Sequence, residues 1–181
     1  LILSYEIIKN NKDSKVLIIT SDTYSKFIND KNKNIRPLFS DGASSTIIEY
    51  DKKGFKLIKK VTKNIIDTQD DLIFKKNEIS MNGPGVVSFT IKYVIPEIIK
   101  ISKNVDNIYV HQAGKIVTRL LKSNFKNNNL IPTNFEKYGN LVSTSIPVLL
   151  KENLSKLRKN KTIIICGFGV GLSLSLVKLQ K

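Results

Sequence analysis

His111 is the residue best suited to chemistry, because it is the only histidine among the 181 residues. It follows an apolar, β-branched run at residues 108–110 that predicts a strand, and a helical pattern begins at residue 115. Such a position lies at the carboxyl end of a strand, where open α/β sheets bind their ligands. The same pattern also fits a core histidine whose hydrogen bonds are satisfied internally.

Asn140 is the second candidate, because it follows Gly139 and carries a carboxamide. An imidazole N–H and a carboxamide N–H₂ can both donate hydrogen bonds without being charged. Asparagine after glycine is also common in turns for purely structural reasons. A functional role for Asn140 therefore depends on whether it meets His111 in the fold.

The segments around these residues alternate between strands and helices, which favours an α/β fold with a mixed sheet. Apolar runs at residues 15–20 and 162–165 predict strands that are buried on both faces. Residues 51–54 predict a hairpin turn that joins strands at 46–50 and 55–61. Two further strands are expected, at 107–110 and 172–179. The turns and loops expected are a tight turn at 39–45, a loop at 64–76 and a glycine turn at 167–171. The helices expected are at 1–9, 86–102 (kinked at Pro96), 115–122 and 143–150.

The composition excludes several classes of protein. Hydrophobic residues make up 41% of the chain, which is typical of a folded core rather than of disorder. No apolar run approaches the ~20 residues of a membrane span, so no membrane partner is expected. The single cysteine, Cys166, rules out an internal disulfide, and one Cys with one His cannot form a zinc site. We expect a cytoplasmic protein with no metal, in which Cys166 is a small buried hydrophobe.

The net charge of +15 leaves several partners open. A basic surface attracts nucleic acid, anionic membranes or an acidic protein. Lysine and asparagine are over-used along the whole sequence, so much of the charge also fits a solvated surface with no partner. Nucleic acid is not expected, because the chain lacks aromatic residues interleaved on a basic strand face and any helix-turn-helix pattern.

Five stretches of the sequence are similar, in the same order, to one enzyme family. They are FSDGA at residues 39–43, MNG at 81–83, VHQA at 110–113, GN at 139–140 with SIP at 145–147, and GFGVGL at 167–172. Together they resemble the carboxy-terminal half of β-ketoacyl-acyl-carrier-protein synthase III, a thiolase-fold condensing enzyme, over residues 1–179. The resemblance implies a thiolase-like α/β fold with a mixed five-stranded sheet and flanking helices. It also implies that residues 1–181 form this one half, with residues 1–45 as the tail of an amino-terminal half that is largely missing.

The activity implied by the resemblance is decarboxylative Claisen condensation of an acyl thioester with malonyl-acyl carrier protein, in fatty-acid or related acyl biosynthesis. Carried over from the family, His111 and Asn140 are catalytic residues that donate hydrogen bonds to the enolate oxygen formed when the malonyl group loses CO₂. The backbone N–H of Val170 contributes to an oxyanion hole, and Gly83 and Gly169 are substrate-binding. The resemblance implies no cofactor beyond the phosphopantetheine that carries the substrates on acyl carrier protein or CoA.

Lys115, Arg119 and Lys122 share one face of the predicted helix, because they are spaced at i, i+4 and i+7. In the family a basic patch near this helix receives the acidic acyl carrier protein, so these three are the candidate docking residues. Ile116 stands where the family pattern has a basic residue, and an ordinary solvated helix face explains the spacing equally well. The family also implies a homodimer that forms through the amino-terminal half.

The family's nucleophilic cysteine has no counterpart here, since Cys166 ends an apolar strand in a different motif. By resemblance the nucleophile lies upstream of Leu1. We therefore expect a fragment that is inactive on its own and that exposes apolar surface normally covered by the other half. The alternative is a non-catalytic, thiolase-like module that binds the carrier protein.

Overall fold

The computed structural model describes residues 1–157 and 161–181. The strands are β1 (Lys15–Asp22), β2 (Gly42–Glu49), β3 (Lys56–Asn64), β4 (Leu72–Lys75), β5 (Glu78–Met81), β6 (Asn107–Val110), β7 (Thr162–Gly169) and β8 (Ser173–Gln180). The helices are α1 (Ile2–Asn10), α2 (Gly83–Phe89), α3 (Ile95–Ile101), α4 (Lys115–Ser123), α5 (Phe135–Tyr138) and α6 (Ser145–Asn153). Short 3₁₀ turns cover Tyr24–Phe27, Asn128–Leu130, Val142–Thr144 and Leu154–Lys156.

Four strands form the main sheet in the order β3-β8-β7-β6. β6 runs parallel to β7, whereas β8 is antiparallel to both of its neighbours, so the sheet is mixed. The strands β1 with β2, and β4 with β5, form two further antiparallel pairs. The expected α/β class with a mixed sheet and flanking helices is confirmed. The main sheet has four strands rather than the expected five, because β1 and β2 pair with each other instead of extending it.

Helices cover the neighbouring strands β6 and β7 on both faces. One face packs against α2, α3 and α4, with fully buried residues such as Ile98, Leu121 and Ile164 at its centre. The other face packs against α6 through Tyr109 and Leu149. The prediction of a strand buried on both faces is therefore confirmed for residues 162–165. In the described part of the chain, no helix is both long enough and apolar enough to cross a bilayer.

The expected hairpin between residues 46–50 and 55–61 is wrong, although its turn is present. Asp51 accepts a hydrogen bond from the backbone N–H of Gly54 at 3.0 Å, as a tight turn requires. The strands on either side of that turn nevertheless pair elsewhere, β2 with β1 and β3 with β8. Local turn chemistry brings two segments close but does not choose their partners, and long-range packing made that choice here.

β1 is not buried on both faces, which corrects the prediction made from its apolar sequence. Exposure alternates along the strand, and Leu17 and Ile19 are 56% and 68% exposed. Ile47 of β2 lies directly opposite Leu17 and is 67% exposed. The expected apolar surface is therefore present on the outer face of the β1–β2 pair.

Several predicted boundaries also shift. Residues 39–45 do not form a compact turn, because β2 begins at Gly42. Residues 64–76 are not all loop, because β4 lies within them and pairs with β5. The glycine turn is shorter than expected, because β7 continues to Gly169. The long helix at 86–102 is confirmed, and a π-helical stretch at Thr90–Val94 precedes Pro96, whose nitrogen has no hydrogen to donate.

Candidate active site

The end of β6 holds His111 in place. The preceding residues Ile108, Tyr109 and Val110 are at most 1% exposed, so the strand is fixed within the core. The backbone N–H of His111 then continues the ladder to β7 by donating to the Cys166 carbonyl at 2.9 Å. Its imidazole packs edge-on against the Phe168 ring, with 5.4 Å between ring centroids. His111 thus lies at the carboxyl end of a parallel strand, as its sequence position predicted.

The imidazole of His111 is neutral at physiological pH. Burial lowers its pKa from 6.5 to about 4, and this effect outweighs the opposing influence of the Val142 backbone and of the negative charge of Asp22. A neutral imidazole has one N–H that donates and one nitrogen that accepts. The ring can therefore take part in hydrogen bonding without bringing a positive charge into the site.

Gly139 brings Asn140 into position. Its φ of +68° lies in the left-handed region that glycine adopts without strain, and a Cβ there would come within 2.7 Å of the Ser40 hydroxyl oxygen. The backbone of Asn140 then pairs with the segment before β2: its N–H donates to the Leu38 carbonyl at 3.0 Å, and its carbonyl accepts from Ser40 N–H at 2.9 Å. These bonds bury Asn140, which is only 4% exposed.

Two hydrogen bonds fix the orientation of the Asn140 carboxamide. Its Oδ1 accepts from the backbone N–H of Val142 at 2.9 Å, and its Nδ2 donates to the Ala113 carbonyl at 3.3 Å. Since Oδ1 faces a backbone donor, the amide group cannot be flipped without losing both bonds. Among the described residues Nδ2 makes that one bond, which leaves its second N–H available to a ligand.

His111 and Asn140 line the same small cavity, of about 30 Å³. Its other walls are mostly apolar, including Phe89 and Phe168. A volume of this size suits one water molecule or one small polar group. The fold therefore brings the two predicted catalytic side chains, 29 positions apart in the numbering, to a single apolar site.

Of the three other predicted site residues, Gly83, Gly169 and Val170, only Gly169 lines the cavity. Val170 lies outside it and is 59% exposed. Gly83 begins α2 between two cavity residues, Met81 and Val86, and a Cβ built at Gly83 would have no described atom within 4 Å. The proposed roles of these three backbone positions stay predictions.

The basic residues of α4 lie in three different settings. Lys115 pairs with Glu136 at 2.9 Å, and both side chains are largely exposed. Arg119 is exposed to solvent. Lys122 is half-buried, donates to the Thr133 hydroxyl at 3.4 Å, and borders a wide surface cleft of about 730 Å³ that is separate from the His111 cavity. Their role in carrier docking stays a prediction.

Cys166 is the small buried hydrophobe that its apolar surroundings predicted. It is fully buried in β7, and desolvation raises the pKa of its thiol far above the usual range. A thiol in that state is not a nucleophile. Within residues 1–157 and 161–181, no group of three or more His, Cys, Asp or Glu side chains is placed to hold a metal ion.

The sequence reasoning missed two parts of the site. The β4–β5 pair supplies Leu72 and Met81 to the cavity wall, although residues 64–76 were expected to be loop. Asp22 binds Ser143, close to Asn140, through contacts between residues 121 positions apart. A charged residue at the end of an apolar strand was the available sequence signal for Asp22.

Comparisons with known proteins agree with this fold. The family model for 3-oxoacyl-[acyl-carrier-protein (ACP)] synthase III matches residues 1–64, and the model for the C-terminal part of the same family matches residues 101–180. The chain is 29% identical to a Clostridium tetani β-ketoacyl-[acyl-carrier-protein] synthase III, covering 94% of this chain and 61% of the relative. It is 31% identical to a Clostridium botulinum (strain 657) protein of the same name, covering 94% of this chain and 60% of the relative.

Solved structures show the same fold. A β-ketoacyl-[acyl-carrier-protein] synthase III from Thermus thermophilus superposes with a TM-score of 0.90 at 19% identity, covering 99% of this chain and 63% of that one. A 3-oxoacyl-[acyl-carrier-protein] synthase III from Aquifex aeolicus gives a TM-score of 0.86 at 21% identity, covering 99% of this chain and 63% of that one. The chain spans about 60% of the length of the curated relatives it matches. With its thiolase-like α/β fold, the chain belongs to the 3-oxoacyl-[acyl-carrier-protein] synthase III family.

Proposed function

We propose that this chain supplies the decarboxylation site for condensation of an acyl thioester with malonyl-acyl carrier protein. The observation that carries the proposal is that His111 and Asn140 line one apolar cavity. Both side chains are neutral and able to donate, and among the described residues Asn140 keeps one side-chain N–H without a protein partner. The relatives named above are β-ketoacyl-acyl-carrier-protein synthases, which makes this activity the first one to test.

The chemistry requires an anion to be stabilised on one oxygen. When the malonyl thioester loses CO₂, the carbon–carbon bond to the carboxylate breaks and its electron pair moves onto the thioester oxygen as an enolate. Two N–H groups that meet at that oxygen stabilise the charge as it develops. The enolate carbon then attacks the acyl thioester carbonyl, a new carbon–carbon bond forms, and the thiolate leaves.

The apolar walls of the cavity strengthen the hydrogen bonds that both donors would make. Hydrogen bonds to a developing charge are stronger in a site of low dielectric constant than in water. In the proposal, the neutral imidazole carries its proton on the nitrogen that faces the cavity. Removing one preorganised donor from such a site lowers kcat by about 10²–10³-fold, or about 3–4 kcal/mol.

The proposal assigns the acyl-carrying cysteine to a position outside these 181 residues, because the single cysteine here is buried and protonated. Without that nucleophile the chain on its own remains inactive as an acyltransferase, as the resemblance implies, and the half-reaction proposed for it is decarboxylation of a malonyl thioester. The substrates arrive on phosphopantetheine, and acyl carrier protein is the proposed partner at Lys115, Arg119 and Lys122. We further propose a cytoplasmic homodimer in which residues 1–45 belong with the amino-terminal half of the fold.

The test is release of ¹⁴CO₂ from malonyl-acyl carrier protein labelled at the free carboxylate. It is run with the chain, with Asn140→Ala, and with Asn10→Ala as a matched control on the exposed end of α1. We expect Asn140→Ala to lose about 10²–10³-fold of the rate and the control to match the unaltered chain. A variant at Asn140 that releases CO₂ as fast as the control would overturn the proposed role.

The lone buried cysteine also favours a second candidate, a non-catalytic module that binds the carrier protein. A parallel titration of acyl carrier protein binding separates the two. If the chain binds the carrier tightly, releases no CO₂, and is unaffected by Asn140→Ala, the binding module is the correct function.

A further inference from the structure

The strand pair β1–β2 supports the segment that carries Asn140. The hydroxyl groups of Thr20 in β1 and Thr144 lie 3.0 Å apart, although the two residues are separated by 124 positions. Gly42 in β2 allows the segment to come close, because a Cβ there would lie 3.0 Å from the Leu141 side chain. The position of Asn140 is therefore set by an element from a distant part of the chain.

Val142, within this segment, is held in an unfavourable backbone conformation. Its φ is +52°, in the left-handed region that branched side chains rarely adopt. Such a residue persists where its surroundings enforce it. Since the N–H of Val142 is the donor that fixes Asn140 Oδ1, relaxation of Val142 would release the carboxamide.

Asp22 binds the residue that follows Val142. One carboxylate oxygen of Asp22, at the end of β1, accepts the backbone N–H of Ser143 at 3.0 Å and also accepts the Ser143 hydroxyl. Hydrogen bonds to a charged acceptor are roughly twice as strong as bonds between neutral groups. The negative charge of Asp22 also acts on the His111 imidazole. The Asp22 carboxylate thus binds Ser143, in the segment that positions Asn140, and its negative charge favours the protonated form of His111.

We propose that Asp22 is a positioning residue for the decarboxylation site: by accepting both hydrogens of Ser143, it holds Val142 in its left-handed conformation and so aims the Asn140 N–H into the cavity. The inference rests on the proposed function, because the aim of Asn140 matters for catalysis only if the carboxamide binds the reacting oxygen. Asp22 itself is not among the residues that line the cavity. The role follows from the contacts with Ser143 and from the strained residue between Ser143 and Asn140.

Variants at Asp22 separate positioning from general structural support. Asp22→Ala removes the acceptor, Asp22→Asn keeps an acceptor oxygen but removes the charge, and Asp13→Ala is the control at an exposed aspartate. For decarboxylation we expect Asp22→Ala to lower kcat by on the order of 10- to 100-fold with little change in KM, since misplacement by about 1 Å costs that much. Asp22→Asn should restore most of the rate, and Asp13→Ala should equal the unaltered chain.

A structural readout on the same 181-residue chain decides the inference whether or not CO₂ is released. NMR follows solvent exchange of the Asn140 side-chain amide hydrogens, which we expect to be slow in the unaltered chain and in Asp22→Asn, and at least ~10-fold faster in Asp22→Ala. Ser143→Ala, which keeps the backbone N–H bond, should fall between them. Equal exchange in all four proteins would overturn the inference.

The two proposals fail in different ways. If Asn140→Ala abolishes decarboxylation while Asp22→Ala leaves both rate and exchange unchanged, only the positioning role is wrong. If Asp22→Ala speeds exchange of the Asn140 amide while Asn140→Ala leaves decarboxylation intact, Asp22 positions Asn140 but the proposed function is wrong.

Discussion

The neutral state of His111 makes a quantitative prediction, because this residue is the only histidine in the chain. In the unfolded chain its pKa is near 6.5, whereas burial lowers the pKa in the folded protein to about 4. The unfolded state therefore binds a proton more readily than the folded state between these two values. The contribution of a neutral His111 to stability is complete above pH 6.5 and is lost progressively as the pH falls towards 4.

The size of the effect follows from the two pKa values. The loss of unfolding free energy from this one residue is about 2 kcal/mol at pH 5 and about 3 kcal/mol at pH 4. Since His111 is only partly buried, these figures are upper values. Other groups also titrate in this range, so the comparison is with His111→Gln, which has no titrating ring and keeps the same carboxylates.

The assay is urea-induced unfolding of both proteins at pH 7.5, 5 and 4. We expect the unaltered chain to lose more stability than His111→Gln on acidification, by about the amounts given above. An NMR titration of the single imidazole measures the pKa directly. A folded-state pKa at or above 6.5, or parallel pH profiles for the two proteins, would refute the reasoning that the ring is neutral because it is buried.

Three further predictions concern residues around the site and the core. Gly139→Ala should lower the free energy of unfolding in urea by about 1–3 kcal/mol, because the positive φ of Gly139 and the nearby Ser40 oppose a Cβ. Gly83→Ala, at a position with open space around it, should change that free energy by less than about 0.5 kcal/mol. Equal effects of the two substitutions would contradict this prediction. Glu97, whose pKa is lowered mainly by hydrogen bonds from Lys100 and Lys63, contributes stability above pH 4.5 that is lost as the pH falls through its folded pKa. Glu97→Gln should therefore cost about 1–2 kcal/mol at pH 7 and little once the pH is below the lowered folded pKa of Glu97. Glu136→Gln at the exposed pair with Lys115 should cost under about 0.5 kcal/mol. A loss at Glu97 that is independent of pH would argue against its ion pairs. Cys166 should react with a thiol reagent at the rate of global unfolding, since it is fully buried, and rapid labelling of the native chain would show that it is accessible.

Much of the site was predictable because its signals are local. The apolar run before His111 and the helical pattern after it specify a strand, a turn and a helix within about twenty residues, and the structure has β6 and α4 there. Gly139 before Asn140 likewise indicated a turn, and the structure has a positive φ at Gly139. Short-range patterns of this kind depend on a few neighbouring residues, which the sequence displays directly.

The errors arose where pairing over long distances decides the outcome. The turn at residues 51–54 was identified, but β3 crosses to β8, more than 100 residues later, because its apolar residues pack on the main core. The apolar run in β1 could not reveal that one of its faces stays exposed in this chain. The contact between Asp22 and Ser143 spans 121 positions, and the left-handed Val142 carries a side chain that normally avoids that conformation.

The most direct test of the central claim is a double-mutant cycle on decarboxylation with His111→Ala, Asn140→Ala and the double variant. If both side chains donate to the same oxygen, they act as one unit, and the loss in kcat for the double variant will be clearly smaller than the product of the two single losses. Losses that multiply fully, or a single variant that decarboxylates like the unaltered chain, would contradict the account that these two donors share one oxygen.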